Sequence, residues 1–235
     1  MGTTTTTMAS GAARRSIRAT APLARWRTVD LLTVAFLGAA FGIAYWGWDI
    51  AYNGPVTALN IAYQPLTGIF AGPWFMAGVV GGLVVRRPGA ALFAEVVAAL
   101  MSMVPGTEWG ATVLMSGILQ GLGAELVFAV LGYSTFGVVA AVVAGAASAP
   151  LEWLFETFTV PSWVSSIPGV GDVAGAGAWA SAWPLGDKLV YLAAMASSGL
   201  VVAGGVGWLL TRALARAGAL RAFPAGQELR ESRAV

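Results

Sequence analysis

The sequence predicts an all-α membrane protein of six transmembrane helices, and three observations carry that prediction. Hydrophobic residues make up 57% of the chain and charged residues 10%, where a soluble domain carries roughly a quarter charged residues. Lipid is therefore the main solvent. Apolar runs approaching the ~20 residues needed to cross a hydrocarbon core about 30 Å thick recur six times along the 235 residues. The basic residues fall into three clusters, Arg14 to Arg27, Arg86-Arg87 and Arg212 to Arg233, with Lys188 the single exception. If the N-terminus is inside, all three clusters face the cytoplasm, while the outer connections carry Asp49, Glu108 and Asp172 and no arginine. Only an even number of crossings satisfies all three, so both termini are expected to be cytoplasmic.

Residues 1–25 combine a threonine run with Arg14, Arg15 and Arg18 and hold no apolar stretch long enough for a signal-peptide core. They read as a disordered cytoplasmic tail, 26–214 as the transmembrane domain, and 215–235 as a cytoplasmic C-terminal tail. The first span is expected over Val29 to Trp48 and the second over Leu66 to Val85, closed by Arg86-Arg87-Pro88-Gly89. A short third covers Ala90 to Val104. After a turn at Pro105 to Glu108, the fourth runs from Trp109 to Leu131, the fifth from Phe136 to Phe158, and the sixth from Pro184 to Leu214. The outer connections, Asp49 to Pro65 and Thr159 to Trp183, are longer than compact folds ordinarily use. They hold Tyr52, Tyr63, Trp163, Trp179 and Trp183, which read either as ordered caps over the outer face or as an aromatic belt at headgroup level.

Several chemistries are excluded. The chain has no cysteine and no histidine, which removes thiolate and imidazole metal sites, Cys or Ser–His nucleophiles and disulfides; no metal and no cofactor are expected. Lys188, in Pro184-Leu185-Gly186-Asp187-Lys188, lacks the glycine spacing of a phosphate-cradling loop, so the chain is not expected to hydrolyse ATP. The arginines follow the membrane rule, and nucleic acid is not an expected partner; membrane lipid is.

Between Pro88 and Thr211 the acids are Glu95, Glu108, Glu125, Glu152, Glu156, Asp172 and Asp187, against one base, Lys188. A carboxylate at the centre of a span costs roughly 2.5 to 3.5 kcal/mol on insertion scales. Each must be paired, protonated or wet, and a cationic ligand is one resolution. Glu152 and Glu156, four apart, share a face of the fifth helix with Trp153 beside them. Two carboxylates and an indole suit an organic cation; the alternative is a solvated position at the outer interface. Gln120, mid-span, needs a partner, and an interhelical bond competes there with ligand contact. Glu125 lies deeper, where a clasp between helices competes with ligand contact, and Glu95 is expected deeper still, in a structural role. Tyr45, Trp46, Trp48 and Asp49 gather at the outer end of span one, and Asp187, Lys188 and Tyr191 at the same depth in span six, with Asp187 and Lys188 expected to screen each other. Ala35 and Ala39 repeat at a spacing that lets another helix approach, with Gly38 and Gly42 on an adjacent face. Gly169-Val170-Gly171-Asp172 matches an intramembrane aspartyl protease pattern but lacks a Tyr-Asp partner and reads as a turn.

The segment Asp30 to Asp49, the run Gly78 to Ala91, and Gln120-Gly121-Leu122-Gly123-Ala124-Glu125-Leu126-Val127-Phe128 together resemble the YkoE family, substrate-binding S components of energy-coupling factor (ECF) transporters linked to thiamine and its hydroxymethylpyrimidine precursor. The resemblance covers about Trp26 to Arg212. It implies an ECF S-component fold with the vitamin held near the outer face, transport by separate ATPase and transmembrane coupling subunits, and contact with the coupling subunit through Ala35 and Ala39. ATP would be used by those partners and not by this chain. Depth and charge nominate Glu152, Glu156, Trp153, Gln120, Tyr45, Trp48, Asp49, Trp109, Tyr191 and Glu125 as substrate-binding residues of a multi-pass protein of the cell membrane, with no catalytic residue. The rival readings are a stand-alone organic-cation channel or exporter, and an intramembrane hydrolase using the Glu152/Glu156 pair.

Overall fold

The computed structural model describes residues 16–107, 109–158 and 179–233, all of them helical or in connections, with no strand among them. Helix α1 (Thr28–Tyr63) starts where Asp30 turns back to accept the Arg27 backbone N–H, 2.9 Å away. It does not stop at the predicted loop. The stretch from Asp49 onward, expected to be an outer loop, stays helical through Tyr63. Asn53-Gly54-Pro55 has the composition of a turn, but Pro55 removes only one ladder bond, to the Ala51 carbonyl. Beyond it Thr57 Oγ1 donates to the Asn53 carbonyl at 2.8 Å and Val56 is buried, so packing carries the helix past a local break signal.

The second crossing departs from expectation in the opposite sense. Its first half is two 3₁₀ segments, Gln64–Phe70 and Gly72–Phe75, and only Met76–Val85 is α-helix (α2). Pro65 and Pro73 each lack the N–H that an α ladder needs. Backbone released at membrane depth must find other partners. Ser198 supplies two: its hydroxyl accepts from Gly72 N–H (2.9 Å) and donates to the Ile69 carbonyl (2.5 Å). The Trp48 indole N–H takes the Phe70 carbonyl at 3.1 Å. Gly72 is required for this approach, since a Cβ there would lie 2.5 Å from the Ser198 carbonyl oxygen.

Helix α2 is buried at every position from Ala77 to Val85, as a helix apolar all round must be. Around it run α3 (Ala90–Met103), α4 (Thr112–Val130), α5 (Val138–Thr157), and a last crossing made of α6 (Leu185–Ser198), a π-helical stretch Gly199–Val206 and α7 (Gly207–Arg216). Successive neighbours are α1 with α3, α3 with α4, α4 with α5 and α5 with α6, and the first 3₁₀ segment packs on both α6 and α1 to close the ring. Small residues set the spacing. A Cβ at Gly42 would sit 2.4 Å from Met101 Cβ, and one at Gly145 would sit 2.2 Å from the Gly199 carbonyl oxygen, so α1 meets α3, and α5 meets the π-helical stretch, nearly backbone to backbone.

One end of the ring collects the arginines. Asp30, fully buried, pairs with Arg27 and with the buried Arg87, both at 2.6 Å. Arg86 pairs with Glu228 on the short helix α8 (Pro224–Arg233). Leu220 and Phe223 are buried against Val84, Val85 and Ala90, with Trp26 beside them. The stretches 16–27 and 217–231 thus lie against the membrane domain at this end.

Candidate functional site

At the other end, the C-terminal half of α1, the 3₁₀ segments, the start of α4, the end of α5 and the start of α6 enclose a cavity of about 370 Å³. Among the described residues four carboxylates line it, Asp49, Glu95, Glu152 and Glu156, and no lysine or arginine does.

Three of the four are held by the protein. Glu95 on α3 accepts the Tyr45 hydroxyl (2.9 Å) and the Gly78 N–H (2.6 Å), while the Tyr45 oxygen accepts the Ala77 N–H at 2.8 Å. Those two N–H groups open α2, where the ladder leaves them free. Asp49 accepts the Trp74 indole N–H at 2.8 Å, and Glu156 the Tyr191 hydroxyl at 2.7 Å. Glu152 differs. It is 3% exposed, it has Ser116 and Gln120 beside it, and its Oε2 has no hydrogen-bond partner among the described residues. A buried polar atom left in this way costs about 1 to 3 kcal/mol.

Two aromatic walls face these acids. Tyr52, Trp74 and Trp109 meet at centroid distances of 5.2, 5.8 and 5.9 Å. Opposite, Trp179 stands edge-on to Tyr191 at 5.6 Å. Aromatic rings beside carboxylates suit a flat, positively charged or amine-bearing molecule.

Of the residues nominated from sequence, Tyr45, Asp49, Trp109, Gln120, Glu152, Glu156 and Tyr191 come together on this cavity. Trp48, Trp153 and Glu125 do not line it. Trp48 spends its N–H on the Phe70 carbonyl, and Trp153 donates to the Lys188 carbonyl at 2.7 Å, tying α5 to α6. Glu125 caps another helix: it accepts N–H groups of Gly89 (2.7 Å), Ala91 (2.9 Å) and Leu92 (3.3 Å) at the start of α3, and the Tyr133 hydroxyl at 2.6 Å. Burial, aided by the neighbouring Glu125, pushes the Tyr133 phenol up, which keeps it a donor. Glu95 has the structural contacts expected of it, but it is not deeper than Glu125: it lines the cavity. The buried Arg86-Arg87 turn brings the start of α3 to the level of Glu125, so Glu95, five residues further on, lies about 7.5 Å closer to the cavity. Asp187 and Lys188, expected to screen each other, part company: Asp187 accepts the Tyr63 hydroxyl at 2.6 Å, and the Lys188 ammonium lies 4.5 Å from the Phe158 ring centroid.

Sequence reasoning missed Trp74 altogether, because its inward position depends on the 3₁₀ winding. Tyr52 and Trp179, read as cap or belt residues, line the cavity. Ala35 and Ala39 lie half-buried beside the Gly38/Gly42 stripe that packs on α3. Glu108, Trp163 and Gly169-Val170-Gly171-Asp172 lie outside the described residues. Among the described residues no three acids converge closely enough to hold a metal ion.

A six-segment ring around a buried helix, with a cavity at one end, is the architecture of an ECF S component. A crystal structure of an S-component of an ECF transporter superposes with a TM-score of 0.72 at 25% identity, covering 89% of this chain and 95% of that one. The chain belongs to the family described as ABC-type cobalt transport system, permease component, whose sequence model matches residues 29–151. A relative from Bacillus subtilis (strain 168), described as an HMP/thiamine permease protein, YkoE, is 28% identical over 211 residues, 88% of this chain and 94% of that protein.

Proposed function

We propose that the chain is the substrate-capture subunit of an ECF-type importer in the cell membrane and takes thiamine or a related aminopyrimidine into the acid-lined cavity. The observation that carries this reading is Glu152, buried in a cavity walled by aromatics, where among the described residues one of its oxygens has no partner and no base joins the lining. A ligand that brings a positive charge or an amine supplies the missing partner. In this reading Glu152 and Glu156 balance the thiazolium or bond the pyrimidine amine, Gln120 reads ring nitrogens, and Trp74, Trp109 and Tyr52 stack. The description of the Bacillus subtilis relative points the same way.

The arginine end is cytoplasmic in this proposal, by the positive-inside bias, so the cavity opens outward. Energy comes from separate ATPase chains through a transmembrane coupling subunit that meets Ala35 and Ala39. Cobalt, named in the family's description, fits the cavity less well. The chain offers neither imidazole nor thiolate, and three of its four cavity acids are already committed to the protein.

Calorimetric titration of detergent-purified protein with thiamine, hydroxymethylpyrimidine and Co²⁺ tests the proposal. Saturable micromolar binding of either organic ligand, with no response to Co²⁺, is expected. Folded protein that binds neither organic compound refutes it.

A further inference from the structure

A second recess, of about 310 Å³, opens at the arginine end between residues 20–28 and the turn before α3, far from the acid-lined cavity. Its wall includes Thr20, Pro22, Trp26 and three arginines, Arg25, Arg27 and Arg87. The positive-inside bias explains why arginines collect at this end. It does not explain why three of them converge on one polar hollow.

Counting donors against acceptors shows an imbalance. The acid at this cluster is Asp30, and both its oxygens are taken: Oδ1 accepts from Arg27 Nε and Nη2, and Oδ2 from Arg27 N, Arg27 Nε and Arg87 Nε. Each guanidinium has five N–H donors and no acceptor. Arg87 turns Nη1 toward the carbonyls of Thr20, Pro22 and Leu23 at 3.2 to 3.3 Å, and among the described residues Nη2 reaches only the Thr20 hydroxyl at 3.4 Å. Arg25 is exposed at the rim. Three guanidinium charges against one saturated carboxylate leave the hollow two charges in excess, with forked donors to spare. Tetrahedral oxyanions match such forks. Trp26, which donates its indole N–H to the Pro88 carbonyl at 3.2 Å, places an amphipathic ring at the same rim, as at a membrane interface.

We infer that this recess is a phosphate-binding site, whose occupant in the membrane is the headgroup of an anionic phospholipid. Basic hollows beside transmembrane helices are where such headgroups are held. The inference is independent of what the acid-lined cavity binds.

Native mass spectrometry and thermal unfolding on the full chain test it, with 1-palmitoyl-2-oleoyl phosphatidylglycerol, the phosphatidylcholine of the same chains, and inorganic phosphate as probes. Phosphatidylglycerol is expected to be retained over phosphatidylcholine and to raise the unfolding temperature. Arg25→Gln, which removes a rim charge without touching the Asp30 pairs, is expected to cut that preference about tenfold, the size of a lost charge-assisted bond. Arg216→Gln, exposed at the end of α7 and not part of the recess lining, serves as the charge-matched control and is expected to leave the preference intact. Protection by inorganic phosphate in detergent, lost in Arg25→Gln, supports the same site with a soluble occupant. Equal retention of the two lipids with no effect of phosphate overturns the inference. So does an equal loss in both variants, which marks a diffuse field and not a site.

Discussion

Glu152 concentrates the chemistry of the molecule at a single atom. Replacing it by glutamine keeps its shape and removes its charge, so Glu152→Gln is expected to weaken cationic thiamine about tenfold, and neutral hydroxymethylpyrimidine less. Titration of both ligands against both proteins reads the difference; equal losses argue that Glu152 acts by shape and not by charge. Glu125→Gln makes the contrasting case. It disturbs a cap shared with Gly89, Ala91, Leu92 and Tyr133, so it is expected to lower thermal stability by about 1 to 2 kcal/mol with ligand affinity unchanged. The polarity of Glu152, Glu156 and Gln120 made them visible in the sequence, since groups of that kind on an apolar helix need a reason. Trp48 and Trp153 lie off the cavity lining, which the sequence does not reveal, because an indole at the right depth looks the same whether its N–H meets a ligand or a neighbouring carbonyl. Only the backbone breaks at Phe70 and the packing of α5 on α6 decide it.

Among the elements, the weakest ladder is the one that carries the aromatic wall. Trp74 and Gln64 sit on the 3₁₀ segments, and Ser198 on α6 holds the break between them. Ser198→Ala removes both bonds at once and is expected to cost about 1 to 3 kcal/mol of stability and to weaken ligand binding as well, because the wall loosens with its support. A melting curve and a titration on the same sample check both, and an unchanged melting temperature sinks the idea. The existence of the six apolar segments, and the bounds of α3, α4 and α5 to within a few residues, follow from hydropathy and turn residues. Proline was the misleading signal. Pro55 lies inside a helix that packing sustains, whereas Pro65 and Pro73 convert half a crossing to tighter winding, and a composition scan treats all three alike.

Across the whole molecule charge is segregated, with acids in the cavity at one end and the Asp30–Arg87 clasp at the other. Asp30→Asn leaves Arg87, 2% exposed, without its charged partner. The loss is expected to be about 3 to 5 kcal/mol, seen as a lower melting temperature and faster proteolysis between residues 16 and 27. Asp30→Asn combined with Arg87→Gln is expected to recover part of it, as a coupled pair must. The three arginine clusters were legible as a group, but the convergence of Arg27 and Arg87 on one aspartate was not, because Asp30 reads as an ordinary first-turn acid.

Helix α1 has 36 residues and is therefore about 54 Å long, nearly twice the hydrocarbon thickness of about 30 Å. Leaning cannot hide the surplus: fitting it inside would take a tilt above about 50°, where transmembrane helices average about 20°. With Thr28 at one boundary of the hydrocarbon layer, Val56 and Asn60, which line the cavity, lie about 42 and 48 Å along the helix and so beyond the other boundary. On the function proposed above, a polar nutrient would step in from solution without dissolving in fat first.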